Sequence, residues 1–246
     1  MGAFTGRARR RTVGQMAEQT IPRSSDPTAT AAPGARVAGA GLTSAMLADS
    51  LDAAGWRDQV MERRIVPLVR GTRVLGRART LQFAPTESDQ PAPYQQAVDL
   101  IDSLEEGQVV VIATGGDGRT AYWGELFSAA AMGRGAAGTV CDGPVRDVAK
   151  VLALGYGVFS WGARPLDFRA RMRVVGTDCV VRCGGVVVAP GDLVMGDDDG
   201  VVAVPGSVEA KVMALAAERS KTERAVLDAL LAGALLEDVW QRWHVL

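Results

Sequence analysis

Two short stretches of this chain hold residue types that could act together on a small anion. The first is Trp123-Gly-Glu-Leu-Phe127, and the second is Cys141-Asp-Gly-Pro-Val-Arg-Asp147. Gly124 stands where a loop enters a predicted helix, so the neighbouring backbone N–H groups are unpaired and the helix dipole favours a carboxylate there. Glycine at that point lets a ligand approach the backbone closely; the plainer alternative is a glycine that only its turn requires. Glu125 falls in the first helical turn, where negative charge is favourable for structural reasons, and its chemistry also suits orienting water near a metal. Gly124, Glu125, Leu126 and Phe127 are therefore candidate substrate-binding positions.

In the second stretch, Asp142-Gly-Pro shapes a turn and Arg146-Asp147 follows at the next helix start. Adjacent helical residues point about 100° apart, so the pair can reach two parts of one bound group. Arg146 can hold a ligand carboxylate bidentately, and Asp147 can coordinate a hard divalent ion. The plainer alternative is an N-terminal aspartate beside a surface arginine. Lys150 lies one turn after Arg146 and is the only lysine near this site, so a Schiff base there is a weaker option. The single histidine is His244, which argues against a histidine base or a His-rich zinc site.

Elements that would position these residues are legible around them. Thr43 or Ser44 caps a helix through Met46, Leu47 and Leu51 that ends near Gly55. Ile65–Val69 reads as a short edge segment because of Pro67, and Arg73–Phe83 as a strand. Tyr94–Ser103 reads as a helix behind a Pro85–Pro93 loop. Then come strand Val109–Ala113, the turn Gly115–Gly118, helix Glu125–Met132, strand Gly138–Cys141, helix Asp147–Leu154 and strand Val158–Ser160. This alternation predicts an α/β unit whose ligand lies at the carboxyl ends of its strands.

Beyond Pro165 the chain becomes strand-rich: Arg173–Val175, Cys179–Cys183, Val186–Val188 and Gly200–Val204. These strands are expected to form a second, mostly antiparallel sheet. The acidic patch Gly191–Gly200 lacks a calcium-loop register and reads as turns between strands. From Ser207 a long helical stretch runs to the carboxyl end, with a break near Lys221-Thr222 or Gly233. Its apolar face calls for something to pack on, and a neighbouring subunit is a natural candidate. Residues 1–36 carry little periodicity and read as an extension with a short helix admitted around Thr12–Gln19.

Composition narrows the function classes. The 246 residues are 48% hydrophobic and 22% charged, with a formal net charge of -1, which fits a packed globular protein and gives no field for nucleic acid or an anionic membrane. Arg7 and Arg9–Arg11 form the one basic concentration and read as a solvated tail. Three cysteines, 141, 179 and 183, make no disulfide framework and point to a reducing, cytoplasmic setting. Cys179 and Cys183 would share one strand face, but no second Cys/His pair accompanies them for zinc. No apolar run approaches the ~20 residues that span a bilayer. There is no P-loop and no nucleophile elbow.

The chain resembles the family of 4-hydroxy-4-methyl-2-oxoglutarate aldolases and regulators of ribonuclease activity. The resemblance rests on Gly-Glu-Leu-Phe at 124–127 and on G-x-x-G-x-V-x-D-G-x-x-R-D from Gly135 to Asp147. It extends to Gly184-Gly-Val-Val-Val-Ala-Pro-Gly-Asp192 and Asp197-Asp-Asp-Gly-Val-Val-Ala-Val-Pro205, and covers about residues 41–210. It implies an α/β fold of the swivelling β/β/α-type sandwich with mixed sheets and a helical C-terminal extension. It divides the chain into an extension at 1–40, an aldolase-like domain at 41–206 and helices at 207–246 that reach another subunit, in a homotrimer or dimer of trimers.

By the same resemblance, the 124–127 backbone and Arg146 bind a pyruvate moiety. Asp147 is the protein ligand of Mg2+ or Mn2+, and Glu125 is the acidic residue near metal-bound water. Glu125, Arg146 and Asp147 would be the catalytic set of a class II, metal-dependent aldolase. It would cleave a 4-hydroxy-2-oxo dicarboxylate to pyruvate and a second 2-oxo acid, and the same electron sink would serve oxaloacetate decarboxylation. Two alternatives stay open: a regulatory interaction protein without turnover, and a pathway-specific lyase or isomerase on a larger enolisable substrate. Methyl transfer is excluded from the reading because no nucleotide-cofactor loop is recognisable.

Overall fold

The computed structural model describes residues 41–245; the 1–40 segment, with the Thr12–Gln19 helix, lies outside the described residues. Thr43 Oγ1 accepts the Met46 N–H at 3.1 Å and opens helix α1 (Ser44–Ala54), which Gly55 ends at φ 90°. Helix and caps stand where the sequence placed them.

Strands β1 (Val66–Pro67), β2 (Val74–Pro85), β3 (Gln108–Ala113), β4 (Gly138–Cys141) and β5 (Val158–Ser160) alternate with α2 (Gln95–Asp102), α3 (Glu125–Gly133) and α4 (Val148–Leu154). Strands β2, β3, β4 and β5 are parallel neighbours, and the two-residue β1 lies antiparallel on the outer side of β5. Val109–Ala113 of β3 is buried throughout, as a strand covered on both faces must be.

The second half of the chain does not build a separate sheet, which corrects the sequence expectation. It continues through β6 (Met172–Thr177), β7 (Val181–Cys183), β8 (Val186–Val188), β9 (Leu193–Asp197) and β10 (Gly200–Val204). The cause is the length of β2. Its first part, Val74–Arg77, pairs with β9, and its last part, Leu81–Pro85, pairs with β6 across an irregularity at Gln82/Phe83. One mixed eight-stranded sheet results, in the order β1-β5-β4-β3-β2-β9-β10 with β6 joined to β2. The chain before β1 bonds back to β10 (Met61 N–H to Val201 O, 2.9 Å), so the sheet curls towards a barrel.

Only β7 and β8 stand apart, as a two-stranded ribbon. Val181, Cys183, Val186 and Val188 of the ribbon pack with Val109, Val111 and Phe159 on one sheet face, while α2, α3 and α4 cover the other through Leu100, Ile101, Ala131 and Val151. Strand β9 stands where the sequence predicts turns, because Leu-Val-Met is short and framed by acidic residues; all three of these apolar residues are buried. Cys179 lies before β7 rather than in it, and the three cysteines are free.

Helix α5 (Glu209–Leu231) lies against α1, with Val212 and Ala216 buried beside Leu47, Leu51, Met195 and Val204. It runs through Lys221-Thr222 unbroken and stops before Gly233 (φ 94°), after which α6 (Leu236–Trp243) follows. Leu227 and Leu231 of α5, Leu236 of α6 and Leu235 just before α6 are exposed. Among the described residues no helix is long and apolar enough to cross a membrane.

Candidate functional site

Strands β3 and β4 pair in parallel with Ile112 opposite Cys141, so the loops that leave them emerge on one side of the sheet. Asp142 locks those ends together. Its Oδ1 accepts the Thr114 N–H at 2.5 Å, its Oδ2 accepts the Gly184 N–H at 3.3 Å, and burial pushes its carboxyl pKa up. The turn-forming role read from Asp142-Gly-Pro is thus joined by a link to the β7–β8 turn.

The two loops are then zipped to each other. Tyr122 N–H donates to Pro144 O at 3.0 Å, and Arg146 N–H to Trp123 O at 2.8 Å. The Tyr122 hydroxyl donates to Asp117 Oδ2 at 2.7 Å, which fixes the glycine-rich turn beneath. At the start of α3, Ser128 Oγ accepts from Trp123 Nε1 (2.8 Å) and donates to Gly124 O (2.9 Å). Ser128 N–H also reaches Gly124 O at 3.0 Å, so the N–H groups of Glu125, Leu126 and Phe127 precede the first intrahelical bond.

Gly124 has φ -166°, extended backbone that any residue adopts, so its turn does not require glycine. Space does. A Cβ there would stand 2.8 Å from Asp147 Oδ2 and 3.1 Å from Arg146 Cγ. The two stretches singled out in the sequence therefore meet at this glycine.

Asp147 does not begin α4 as an ordinary helical residue. It occupies the left-handed region (φ 57°, ψ 32°), caps the helix through its backbone oxygen, and its carboxylate makes no capping hydrogen bond. An aspartate tolerates that conformation better than most residues. Its side chain is left to face the cleft beside Arg146, whose Nε lies 3.7 Å from Asp147 Oδ2.

Arg146 is also held from outside both motifs. Its NH1 contacts Asp167 Oδ2 at 2.7 Å, and the same oxygen accepts the Tyr94 hydroxyl at 3.1 Å. Asp167 and Tyr94 were not identified from sequence; the only signal was a carboxylate set among arginines in Arg164-Pro-Leu-Asp-Phe-Arg169. Burial, reinforced by Asp167, raises the Tyr94 pKa and keeps its hydroxyl protonated as a donor.

Glu125 binds Lys150 Nζ at 2.8 Å, and this contact raises the lysine pKa. An ammonium held protonated is a poor Schiff-base nucleophile. The acidic patch is structural in part: Asp192 accepts the Ala189 and Gly206 N–H groups, and Asp197 holds Ser44 at the start of α1. His244 ends α6.

Tyr94, Gly124, Glu125, Phe127, Arg146, Asp147 and Asp167 are among the residues that line one cleft of ≈ 260 Å³. Among the described residues no group of three or more His, Cys, Asp or Glu could enclose a metal ion. What the cleft offers is one carboxylate, that of Asp147, whose Oδ2 faces Arg146 Nε at 3.7 Å beside a gap that a single methyl would fill. That donor set suits a hard divalent ion bound through one carboxylate and completed by ligand and water oxygens, the habit of Mg2+.

The family model described as RraA-like, Aldolase/RraA, matches residues 44–203. Protein DlpA of Legionella pneumophila is 31% identical over 194 residues, 79% of this chain and 31% of that protein, so the chain spans about a third of its length. A protein of Halalkalibacterium halodurans, provisionally named a 4-hydroxy-4-methyl-2-oxoglutarate aldolase, is 31% identical over 172 residues, 68% of this chain and 79% of that one. The crystal structure of Streptomyces coelicolor RraAS2, described as an unusual member of the RNase ES inhibitor RraA protein family, aligns with a TM-score of 0.67 at 30% identity, covering 74% of this chain and 90% of that one. With that family match spanning most of the folded core, the chain belongs to the RraA-like (Aldolase/RraA) family.

Proposed function

We propose that this protein is a divalent-metal-dependent lyase that cleaves a 4-hydroxy-2-oxo acid to pyruvate and a second carbonyl compound. The observation that carries the reading is the fit at Gly124, where the missing side chain leaves Asp147 Oδ2 and the Arg146 stem against the start of α3. A bound Mg2+ or Mn2+ on Asp147 would supply Lewis-acid stabilisation of the negative charge that develops on the 2-oxo oxygen. Arg146 holds the carboxylate of the same end by its guanidinium, and the N–H groups of Glu125, Leu126 and Phe127 add fixed dipoles that require no reorganisation. The rigid Ser128–Gly124–Trp123 hydrogen bonds keep those dipoles aimed.

The proton is handled by Glu125. It takes the 4-hydroxyl proton as the C3–C4 bond breaks, and the bond's electrons pass into the enolate. The proton then returns to C3 to give the methyl group of pyruvate. Lys150 at 2.8 Å balances the carboxylate during the exchange. Loss of carbon dioxide from oxaloacetate leaves the same enolate and falls within the same chemistry.

Helices over one sheet face and the β7–β8 ribbon over the other support the swivelling-sandwich reading of the fold. The exposed leucines of α5 and α6 support an intersubunit role for 207–246 in a trimer or dimer of trimers. The test is pyruvate release with Mn2+ from 4-hydroxy-4-methyl-2-oxoglutarate, other 4-hydroxy-2-oxo acids and oxaloacetate. Release no faster than the metal-only background from every one of them defeats the proposal. The likeness to RraAS2 favours a second, regulatory reading, which predicts partner binding that survives metal removal and no turnover.

A further inference from the structure

Past its polar end, the cleft is built of rings. Tyr94 and Phe127 are half-buried at its wall beside Leu126, and the buried rings of Tyr122, Trp123 and Phe168 pack behind them. Tyr94 meets Phe168 at 5.2 Å and Phe127 at 6.4 Å, both edge-on at 74°, and Trp123 meets Phe127 at 5.4 Å. Such edge-to-face pairs fix the rings and present an apolar wall of defined shape. The side chain of Leu126 is 79% exposed at this wall, with no core to fill.

Charge in the cleft is lopsided. Among the described residues that line it, Arg146 is the only cation, against the carboxylates of Glu125, Asp147 and Asp167. Nearby guanidiniums are committed elsewhere. Arg169 forms two bonds to Asp89, at 2.6 and 2.8 Å, and Arg119 binds Asp117 at 2.6 Å. One guanidinium and one metal ion suffice for the carboxylate and 2-oxo oxygen of a pyruvate end. A second carboxylate, as on 2-oxoglutarate derivatives, would then be placed among rings or beside Asp167, where the nearest other cations, Lys150 and Arg169, already face Glu125 and Asp89, and that is costly in a partly desolvated site.

We infer that the substrate is a 2-oxo monocarboxylate with a planar apolar group, an aryl ring or its equivalent, at the carbon where a dicarboxylate substrate would carry its second acid. The inference rests on the lyase reading. For 4-hydroxy-2-oxo-4-phenylbutanoate the C3–C4 bond breaks, the hydroxyl proton finishes on C3, and pyruvate and benzaldehyde account for every atom without any oxidant or co-reactant.

Binding tests recognition separately from turnover. 2-Oxo-4-phenylbutanoate and 2-oxoglutarate carry their distinguishing groups on the same carbon, lack the 4-hydroxyl and are not cleaved by this route, so calorimetry of the full chain with Mn2+ reads recognition alone. 2-Oxo-4-phenylbutanoate is expected to bind about tenfold more tightly or better, the scale of one aromatic contact with its buried area. Equal affinities, tighter 2-oxoglutarate, or binding of neither overturns the inference. Leu126→Arg, which adds a cation at an exposed position, narrows the preference by about fivefold or more; an unchanged ratio overturns the placement of the substituent. Pyruvate release from the phenyl substrate is assayed in parallel. Aryl preference without release leaves recognition standing and defeats only the lyase chemistry.

Discussion

The carboxylate of Asp147 occupies the space that a side chain on Gly124 would take, with Oδ2 2.8 Å from the position of the missing Cβ. Because the Gly124 backbone is extended (φ -166°), alanine is conformationally acceptable there, and the cost of Gly124→Ala falls on the site rather than on the fold. The added methyl pushes Asp147 and Arg146 away from the start of α3. A displacement near 1 Å is enough to lower kcat/KM by about 100-fold. Circular dichroism should match the parent while turnover collapses; full turnover in Gly124→Ala shows that the close approach serves no chemistry.

Asp147 separates stability from function. A non-glycine residue in the left-handed region carries roughly 1–2 kcal/mol of strain, and the Asp147 side chain gives back no capping hydrogen bond. Asp147→Gly is therefore expected to melt at or slightly above the parent temperature, the relief being offset in part by glycine's greater freedom when unfolded. Its metal-supported turnover should fall to background. Asp147→Asn, which also tolerates the conformation, should keep the fold and lose turnover by on the order of 100-fold, ~2.7 kcal/mol of transition-state stabilisation. A clear drop in melting temperature for the glycine variant assigns the carboxylate a structural task instead.

Most of the elements that carry the cleft were legible because local signals were strong: Thr43 and Gly55 bound α1, an unbroken apolar run marked β3, and Val140-Cys141 before the Asp-Gly-Pro turn marked β4. Gly124, Glu125, Arg146 and Asp147 were legible as two motifs, and only the parallel register of β3 and β4 brings them together. What escaped was long-range. The dual pairing of β2 with β9 and β6 depends on strands over a hundred and about ninety residues away, so a single extended sheet left no local trace. Asp167 and Tyr94 escaped for the same reason: Asp167 meets Arg146 and Tyr94 meets Asp167 from distant parts of the chain, and neither sits in a pattern that spacing reveals. The left-handed backbone of Asp147 is a third case, since aspartate before a helix ordinarily reads as a side-chain cap.

The attachment of α5 to the sheet should weaken in acid. Arg77 grips Glu209 through two guanidinium nitrogens, NH2 at 2.7 Å, and this hydrogen bonding holds the Glu209 carboxyl below its ordinary 4.5. A carboxyl pKa depressed by folding contributes stability that is present above the unfolded value and is lost as pH falls through the folded one. Arg77 is half exposed, so the contribution is under about 1 kcal/mol. Urea denaturation of the parent and Glu209→Gln should differ by that amount near neutral pH and converge as the pH falls through the depressed pKa of the folded carboxyl. A gap that persists in acid shows that the glutamine variant loses packing, not charge.

Asp167 tests whether Arg146 works by placement or by charge alone. Its carboxylate contacts Arg146 NH1 at 2.7 Å and accepts the Tyr94 hydroxyl at 3.1 Å, so it anchors the guanidinium and also partly neutralises it. The two effects have opposite signs. Neutralisation is modest, because Arg146 and Asp167 keep 40% and 24% of their side-chain exposure and water screens the pair. Placement should therefore win. Asp167→Ala frees both partners and is expected to lower kcat/KM about tenfold, chiefly through KM, since an arginine that must be ordered by the substrate spends binding energy on its own immobilisation. Asp167→Asn retains an oxygen to accept from Arg146 and should recover most of that loss. Equal losses in the two variants mean that the negative charge itself is needed; a gain in both means that Asp167 competes with the substrate for the guanidinium and that the anchor reading is wrong.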